Sequence, residues 1–374
     1  MHKVIVVIGP TSVGKTKMGV ELAKVFNGEV ISGDSMQIYK GLDIGSAKVT
    51  TDEMDGIIHH LIDIKNFDES YSVKEFQDTV RNKIEEITNK GKLPIIVGGT
   101  GLYIKAALYD YTFSDTQDDD HHQVNEKYKD YDNLQLYNLL MSIDEKSALE
   151  LHPNNRRRVM RAIEIYEQSG TKKSDIHEAQ THQCLYDAYF VGLTLDRAVL
   201  YERINKRVDI MKENGLEEEI ERLMKQGFKR EYQSGKGIGY KEWFDYYDGL
   251  VSKEEVYENI KKHSRQYAKR QYTWFKNQFN VFWYDVNLED FSQTVEKVAE
   301  DIKQYQRIQY YENIYEEAII TKDPLLIKQL SDYYSSIQWQ YDYDISYYLV
   351  QNHVKCSVLS QDTLYDFLSE YDKK

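Results

Sequence analysis

One short stretch close to the start of the chain, residues 9–16, constrains the fold more than any other feature. It fits the pattern G-x-x-x-x-G-K-[ST] of a phosphate-binding loop at every fixed position. Residues 3–8 form a β-branched apolar run that predicts a buried parallel strand, and residues 17–26 predict a helix. A loop in this context places backbone N–H groups around a phosphate at the positive end of a helix. The loop consists of Gly9, Pro10, Thr11, Ser12, Val13, Gly14, Lys15 and Thr16.

Two side chains of this loop suit a charged ligand. Lys15 supplies a positive charge to the phosphate, and Thr16 supplies a hydroxyl suited to Mg²⁺. We therefore expect the chain to bind a diphosphate, with Mg²⁺ as cofactor and Thr16 as a metal ligand. The loop alone does not identify the molecule that carries the phosphates.

Composition limits the class of protein. The 374 residues suffice for two or three domains, and 41% apolar residues support packed cores. No stretch approaches the roughly 20 apolar residues of a membrane span, and no signal peptide is expected before the first strand. Cys184 and Cys356 form no disulfide or metal pattern, so we expect a cytoplasmic protein, and a monomer. The net charge of −14 argues against a generally nucleic-acid-binding surface but allows a local basic groove.

Strand and helix patterns alternate along most of the chain, which predicts an α/β domain with a parallel sheet. Helical spacing predicts helices at residues 70–88, with Ser72 as N-cap, and at 197–226, interrupted at Gly215. The remaining predicted strands are residues 29–32, 92–97, 188–195 and 281–284, and the remaining predicted helices of this domain are 254–279 and 290–306.

Residues between the strands at 92–97 and 188–195 have a different pattern, first polar and then all-helical with a break at Pro153. The predicted fold is therefore a P-loop NTPase-like parallel sheet with an all-helical insertion domain and a small helical C-terminal appendage. The predicted boundaries are 1–113 and 186–306 for the catalytic core, 114–185 for the insertion, and 307–374 for an acidic, tyrosine-rich appendage.

Two further strand ends carry residues suited to a ligand site. Asp34 follows the second strand, and Gly98, Gly99 and Thr100 follow the strand at 92–97. The carboxyl ends of parallel strands line one crevice, so we expect Asp34 close to the phosphate loop. The glycines predict a close approach to the same ligand.

Ordered motifs along roughly the first 300 residues point to a family. They are residues 9–16, 32–48, 59–63, 98–103, 158–164, 200–209, 237–242 and 269–275. Together they resemble the tRNA dimethylallyltransferases. The resemblance implies that dimethylallyl diphosphate donates its prenyl group to N6 of the adenosine immediately 3′ of the anticodon, with release of diphosphate. It implies the tRNA anticodon stem-loop and dimethylallyl diphosphate as partners, and it implies that ATP is not the substrate.

The resemblance also assigns roles to residues of the catalytic centre. An exocyclic amine is a poor nucleophile, so Asp34 would accept its proton as general base, although a capping or magnesium-side role for Asp34 stays open. Thr100 would hydrogen-bond the diphosphate or its bridging oxygen, or serve as a plain turn residue. An arginine would stabilise the leaving group; Arg203 matches best, Arg207 lies one turn on, and only one need face inward.

The same resemblance predicts the tRNA contacts. A cationic run, Arg156, Arg157, Arg158 and Arg161, suits backbone phosphates in an otherwise acidic chain, with a solvated face as the alternative. The target adenosine must leave its stack to reach Asp34. A second basic stripe comprises Lys261, Lys262, Arg265, Lys269 and Arg270. The predicted tRNA-binding residues are Asp34, Ser35, Met36, Gln37, Thr100, Arg157, Arg158, Val159, Met160, Arg161, Lys236, Gly237, Ile238, Gly239 and Tyr240.

Other functions fit the sequence less well. Where the family often has a tRNA-contacting arginine, this chain has His121, His122 and Gln123, which fit a polar loop better than a metal site. A small-molecule kinase needs an acidic Mg²⁺ residue at a strand end, but residues 95–97 are followed by Gly-Gly-Thr. Prenyl transfer to a free adenine nucleotide would give the arginine run and the helical insertion no binding role, so both favour tRNA as the acceptor. A non-enzymatic phosphate-binding module would leave Asp34 and Thr100 without a role.

Overall fold

The structure is a computed structural model that describes residues 1–111, 113, 124, 126–179, 182–321, 323–336 and 368. The chain forms two compact units. The first comprises Met1–Ile104 and Tyr186–Lys374, and the second comprises Lys105–Leu185. The division falls within the helix Gly101–Leu108, ahead of the boundary predicted at residue 114.

All strands of the sheet are parallel, in the order β3-β2-β4-β1-β5-β6. Five of them lie where the hydrophobic runs predicted strands; the two-residue strand β3 was missed because it is too short to show a pattern. The strand β4 lies between β1 and β2, so the turn after β4 separates the phosphate loop from Asp34. The strands are β1 Lys3–Ile8, β2 Gly28–Ser32, β3 His59–His60, β4 Leu93–Val97, β5 Asp187–Thr194 and β6 Phe282–Asp285.

Helices follow the strands in the expected alternation. Ser72 caps its helix by accepting a hydrogen bond from the Glu75 N–H, as predicted, and Gly215 interrupts the 197–226 segment at a φ of 92°. The helices are α1 Lys15–Val25, α2 Thr51–Met54, α3 Val73–Asn89, α4 Gly101–Leu108, α5 Asn133–Ile143, α6 Glu145–Leu149, α7 Arg156–Ser169, α8 Lys173–Ala179, α9 Arg197–Glu213, α10 Leu216–Lys225, α11 Lys241–Tyr247, α12 Lys253–Gln278, α13 Phe291–Thr321 and α14 Pro324–Ser336.

The main core fills the space between the sheet and its helices. Ile5 pairs in register with Ile95 of β4, and Val7 with Val191 of β5, and all four side chains are buried. This burial on both faces explains why the strands are continuous apolar runs rather than alternating ones. The rigid sheet fixes the positions of the turns at its carboxyl edge.

The second unit has a core of its own. Leu136 and Leu140 of α5 pack with Val159 and Ile163 of α7. The turn that contains Pro153 separates α6 from α7, as the sequence predicts. No helix in the described part of the chain has the length and apolar character required to span a bilayer.

The helix α13 runs past the boundary predicted at residue 306 without a break. Tyr305 belongs to the main core, while Ile314 and Ala318, further along α13, pack with Leu330 of α14 in a small separate cluster. Apolar residues at helical spacing on both sides of residue 306 make one continuous helix the more stable structure. The predicted features of residues 337–367 lie outside the described residues.

Candidate active site

The phosphate loop wraps the start of α1. Gly14 has a φ of 109° and no side chain to cap the helix, so the first N–H groups of α1 stay open to an anion. Lys15 folds back over the loop and donates to the Pro10 carbonyl oxygen at 2.7 Å. Backbone donors and an ammonium group thus surround one space, as the motif predicts.

That space is a cavity of about 900 Å³ at the carboxyl edge of the sheet. It is large enough for a diphosphate with a short organic group. Its polar wall includes Thr11, Lys15, Thr16, Asp34 and Arg207. Asp34 therefore shares a cavity with the phosphate loop.

Both candidate arginines contact the phosphate loop from α9. Arg203 Nε donates to the Ser12 carbonyl oxygen at 3.0 Å. Arg207 Nη1 donates to Thr11 Oγ1 at 3.1 Å, and its Nη2 donates to the Ala47 carbonyl oxygen at 3.3 Å. Both arginines therefore lie against the loop, one helical turn apart, and which of them faces the diphosphate stays a prediction.

Positive charge is concentrated here. Burial and the nearby Arg207 lower the pKa of Lys15 to about 7, against an opposing effect of Asp34. Burial also lowers the pKa of Arg207, opposed by Asp34 and Glu53. Cations crowded together in this way favour binding of a multiply charged anion, which relieves their repulsion.

Asp34 uses its two carboxylate oxygens differently. Its Oδ1 accepts the N–H groups of Met36 (2.8 Å) and Gln37 (3.4 Å), which is the capping role that the sequence left open. Its Oδ2 accepts no hydrogen bond from the described residues. One oxygen therefore fixes the side chain, and the other is free to accept a proton.

A second cavity, of about 400 Å³, adjoins the first and shares Asp34, Arg207 and Tyr267 with it. The predicted base contacts Ser35, Met36, Lys236, Gly237 and Ile238 line this cavity. Gln37 instead lines the first cavity, where its Nε2 donates to the Ala47 carbonyl oxygen at 3.2 Å. Asp34 thus lies between a cavity that holds the phosphate loop and one that holds the predicted base contacts.

Thr100 lies beside Asp34 rather than in either cavity. Its Oγ1 accepts the Ser35 N–H at 3.3 Å and lies 3.3 Å from Ser35 Oγ. Neither of the two cavities described has Thr100 in its lining. In this structure Thr100 holds the turn that carries Asp34, and its contact with the diphosphate stays a prediction.

Gln271 was missed by sequence reasoning. This buried side chain of α12 accepts the Thr11 N–H at 2.9 Å and donates to the Gly99 carbonyl oxygen at 2.9 Å. A Cβ on Gly99 would come within 2.2 Å of Gln271 Nε2, so a larger residue there would displace the Gln271 side chain. The expected close approach of the glycines is thus to protein groups: Gly99 to Gln271, and Gly98 to Gly33, whose carbonyl oxygen lies 2.3 Å from where a Gly98 Cβ would be.

Part of the predicted tRNA surface is wrong at the level of side chains. Val159 is fully buried and Met160 is 6% exposed, because both face the core of the helical unit. Gly239 and Tyr240 are buried as well, so the Tyr240 ring is not presented to a base in this structure. Some residues of the 237–242 motif therefore pack the protein interior instead of facing a ligand.

The arginine run divides in two. Arg156 is used structurally, since its guanidinium donates to the carbonyl oxygens of Tyr131 (2.6 Å) and Tyr128 (3.3 Å). Arg161 lies 3.4 Å from the Glu164 carboxylate. Arg157 and Arg158 are exposed, and their side chains form no hydrogen bond or ion pair within the described ranges. These two arginines are the ones free to contact a phosphate backbone.

The second basic stripe is partly neutralised. Lys261 pairs with Asp209 at 2.8 Å and Glu258 at 3.1 Å, and Arg265 donates to Asn205 Oδ1. Arg270 lines the smaller cavity.

Among the described residues no cluster of His, Cys, Asp and Glu could hold a metal by itself. His121, His122 and Gln123 lie outside the described residues.

A phosphate loop at the edge of a parallel sheet, facing arginines and a carboxylate between two cavities, defines an α/β protein of the P-loop type built to act on a phosphorylated substrate. The sequence model of the family described as IPP transferase matches residues 37–278. The chain belongs to this family.

Curated relatives have one name in common. The tRNA dimethylallyltransferase of Bacillus cytotoxicus is 53% identical over 287 residues, which cover 76% of this chain and 90% of that protein. The tRNA dimethylallyltransferase of Bacillus anthracis is 54% identical over 287 residues, with 76% and 91% covered. The family predicted from the ordered motifs is confirmed.

Solved structures agree. The tRNA delta(2)-isopentenylpyrophosphate transferase of Staphylococcus epidermidis has a TM-score of 0.61 and 46% identity, covering 81% of this chain and 99% of its own. A eukaryotic dimethylallyltransferase described as acting on tRNA has a TM-score of 0.71 and 32% identity, covering 81% and 79%. These likenesses confirm the predicted fold class.

Proposed function

We propose that the protein transfers a dimethylallyl group from dimethylallyl diphosphate to N6 of the adenosine immediately 3′ of the tRNA anticodon and releases diphosphate. The observation that carries the proposal is the position of Asp34, which lines both cavities. A donor in one cavity and an acceptor in the other would meet at this carboxylate. Family membership and the names of the relatives support the same reaction.

The larger cavity would hold the donor. Its diphosphate would lie against the loop N–H groups, with Lys15, Arg203 and Arg207 around it. As the bond between the donor's C1 and the bridging oxygen breaks, negative charge grows on the leaving diphosphate. Preorganised cations and N–H donors stabilise that charge more than they stabilise the bound donor, which is the condition for rate acceleration.

The smaller cavity would hold the acceptor. The adenine must be turned out of its stack to enter it, next to Met36 and Ile238. As N6 forms its bond to C1, its proton would pass to Asp34 Oδ2, while Oδ1 keeps the side chain in place. Thr100 supports this turn through Ser35.

The residues of the larger cavity also suit Mg²⁺. Thr16, which carries a hydroxyl, and Asp34, which carries a carboxylate, both line this cavity. Because Mg²⁺ is commonly held by few protein ligands together with substrate phosphates, the lack of a multi-residue metal cluster among the described residues fits this mode. Bound Mg²⁺ would neutralise charge on the diphosphate, with Thr16 as its protein ligand.

The acceptor is proposed to be the anticodon stem-loop of tRNA. Arg157 and Arg158 are exposed and free to contact its phosphates, whereas a free nucleotide would leave them without use. The cytoplasmic location and the monomeric state expected from the sequence stay predictions.

The proposal is tested by incubating the protein with labelled dimethylallyl diphosphate and tRNA that lacks the modification, followed by nucleoside analysis. We expect label on N6 of one adenosine next to the anticodon. ATP turnover without transfer of a five-carbon group to RNA would overturn the proposal in favour of phosphoryl transfer. Free AMP as the preferred acceptor would overturn the assignment of tRNA.

A further inference from the structure

A buried carboxylate lies behind the wall of the donor cavity and takes no part in the proposed transfer. Glu219 of α10 is 5% exposed. Its Oε2 accepts the N–H groups of Asp43 (3.1 Å) and Ile44 (2.8 Å), and its Oε1 accepts the Gly45 N–H at 3.2 Å. Three consecutive backbone N–H groups thus converge on one side chain. We call residues 41–47 the wall loop.

Tyr240 completes this arrangement. Its hydroxyl donates to Glu219 Oε1 at 2.7 Å and accepts the Ser46 N–H at 3.0 Å. Burial and the charge of Glu219 raise the pKa of Tyr240 well above its ordinary value, so the hydroxyl keeps its proton. With four donors around it, the carboxylate of Glu219 is fully satisfied.

Packing leaves the wall loop little freedom at this point. A Cβ on Gly45 would come within 2.6 Å of the Tyr240 ring, and a Cβ on Gly239 would come within 2.6 Å of the Gly45 carbonyl oxygen. At the other end of the loop, Arg222 donates to the Gly41 carbonyl oxygen at 2.7 Å. The loop is therefore held by α10 and by the segment that leads into α11.

The wall loop ends at a contact with the catalytic centre. The Ala47 carbonyl oxygen accepts hydrogen bonds from Arg207 Nη2 (3.3 Å) and Gln37 Nε2 (3.2 Å). Arg207 in turn reaches Thr11 of the phosphate loop. A continuous set of contacts thus joins Glu219 and Tyr240 to Arg207 in the lining of the larger cavity.

We propose that Glu219 and Tyr240 are positioning residues that hold the wall loop so that Ala47 aims Arg207 at the donor diphosphate. This role rests on the proposed function for its purpose, but it concerns anion binding and needs no prenyl transfer to be measured. Gly237 and Ile238, next to Tyr240, line the acceptor cavity. The wall loop itself borders both cavities, since Ser46 and Ala47 line each of them.

The test removes one hydroxyl from the full-length protein. In Tyr240→Phe, we expect the Kd for inorganic diphosphate to rise about tenfold, because a buried hydrogen bond to a charged group is removed and the Ser46 N–H is left unpaired. The Kd for an anticodon stem-loop RNA should change by less than about twofold. Hydrogen exchange should accelerate at the amides of residues 43–46 and not across the sheet.

Tyr257→Phe is the matched control. Tyr257 of α12 is 5% exposed, and its hydroxyl donates at 3.3 Å to Glu217 of α10, the helix that also carries Glu219. Among the described residues its hydroxyl forms no hydrogen bond with the wall loop. Tyr257→Phe should leave diphosphate binding unchanged. Glu219→Gln gives a second test, with the same selective decrease in diphosphate affinity. Unchanged diphosphate affinity in both variants, or equal weakening of diphosphate and RNA binding, would overturn the assignment.

Discussion

At the residue scale, Asp34 combines two roles that the sequence could only present as alternatives. Oδ1 caps the turn at Met36, and the residue as a whole lines both cavities. Capping by one oxygen lowers the number of conformations the other can adopt, which is what a general base requires. The place of Asp34 in the site was predictable from its position at a strand end. The different roles of its two carboxylate oxygens were not.

Asp34→Asn separates the two roles. Asparagine keeps an oxygen for the Met36 N–H but cannot accept the N6 proton, so kcat should fall by roughly 10²- to 10⁴-fold. The affinity for tRNA should change by less than about twofold. Single-turnover transfer and filter binding measure the two quantities. A variant that binds tRNA far more weakly would show that Asp34 is mainly structural.

At the element scale, features that depend on neighbouring residues could be predicted from the sequence. Contacts between elements that are distant in the chain could not. The cap at Ser72 and the break at Gly215 depend on neighbouring residues, and both are confirmed. Gln271 contacts Thr11 and Gly99, which are far away in the chain, and a lone glutamine in a basic helix gives no sign of this. The burial of Val159 likewise depends on α5, which packs against it.

The helix α7 gives a prediction of its own. Arg157→Glu should weaken tRNA binding and reduce the slope of log K against log salt by about 0.7 or more for each phosphate that is no longer neutralised. The control is Lys146→Glu in the same unit, because Lys146 already pairs with Glu178 at 2.7 Å. Binding titrations over a range of salt concentrations measure both slopes. An unchanged slope for Arg157→Glu would remove this residue from the interface.

An ion-pair cluster centred on Glu29 joins the three neighbouring strands β3, β2 and β4. Glu29 of β2 is 1% exposed and contacts His60 Nε2 of β3 at 2.7 Å and Lys92 Nζ at 2.8 Å. Burial alone would raise the pKa of Glu29, but the hydrogen bonds from Lys92 and His60 lower it. Folding is therefore favoured by this group above its unfolded pKa of about 4.3, and the gain disappears as the pH falls through the folded pKa.

Glu29→Gln should accordingly cost stability at neutral pH, by about 3 kcal/mol or more because a buried cluster loses its charge partner. It should also make the free energy of unfolding less dependent on pH below about 4.3. Urea unfolding at several pH values measures this, with the exposed Glu202→Gln as control. Parallel pH profiles for Glu29→Gln and the unmodified protein would contradict the assignment.

At the scale of the whole molecule, the chemistry is expected to be independent of the last segment. The small cluster around Ile314 and Leu330 is separate from the main core. Gln309 still contacts the sheet, since its Nε2 donates to Asp187 Oδ1 at 2.9 Å. The sequence showed a change of composition near residue 307. It did not show that the single helix α13 continues through that position.

Truncation after Gln309 tests this independence. It keeps the contact with Asp187 and removes the small cluster, so prenyl transfer should stay within about twofold of the full chain, as surface changes away from a site usually do. Truncation before Tyr305 is the contrast, because it removes a main-core residue and should lower the melting temperature. A folded protein ending at Gln309 with no activity would show that the segment contributes to the reaction.

The central claim is that donor and acceptor meet at Asp34, between the two cavities. A crystal structure with a non-reactive thiolo analogue of dimethylallyl diphosphate and an anticodon stem-loop tests it most directly. The account predicts the diphosphate on the loop at Lys15, and N6 of the everted adenine about 3 Å from the Asp34 carboxylate. An adenine bound elsewhere, with Asp34 turned away from N6, would contradict it.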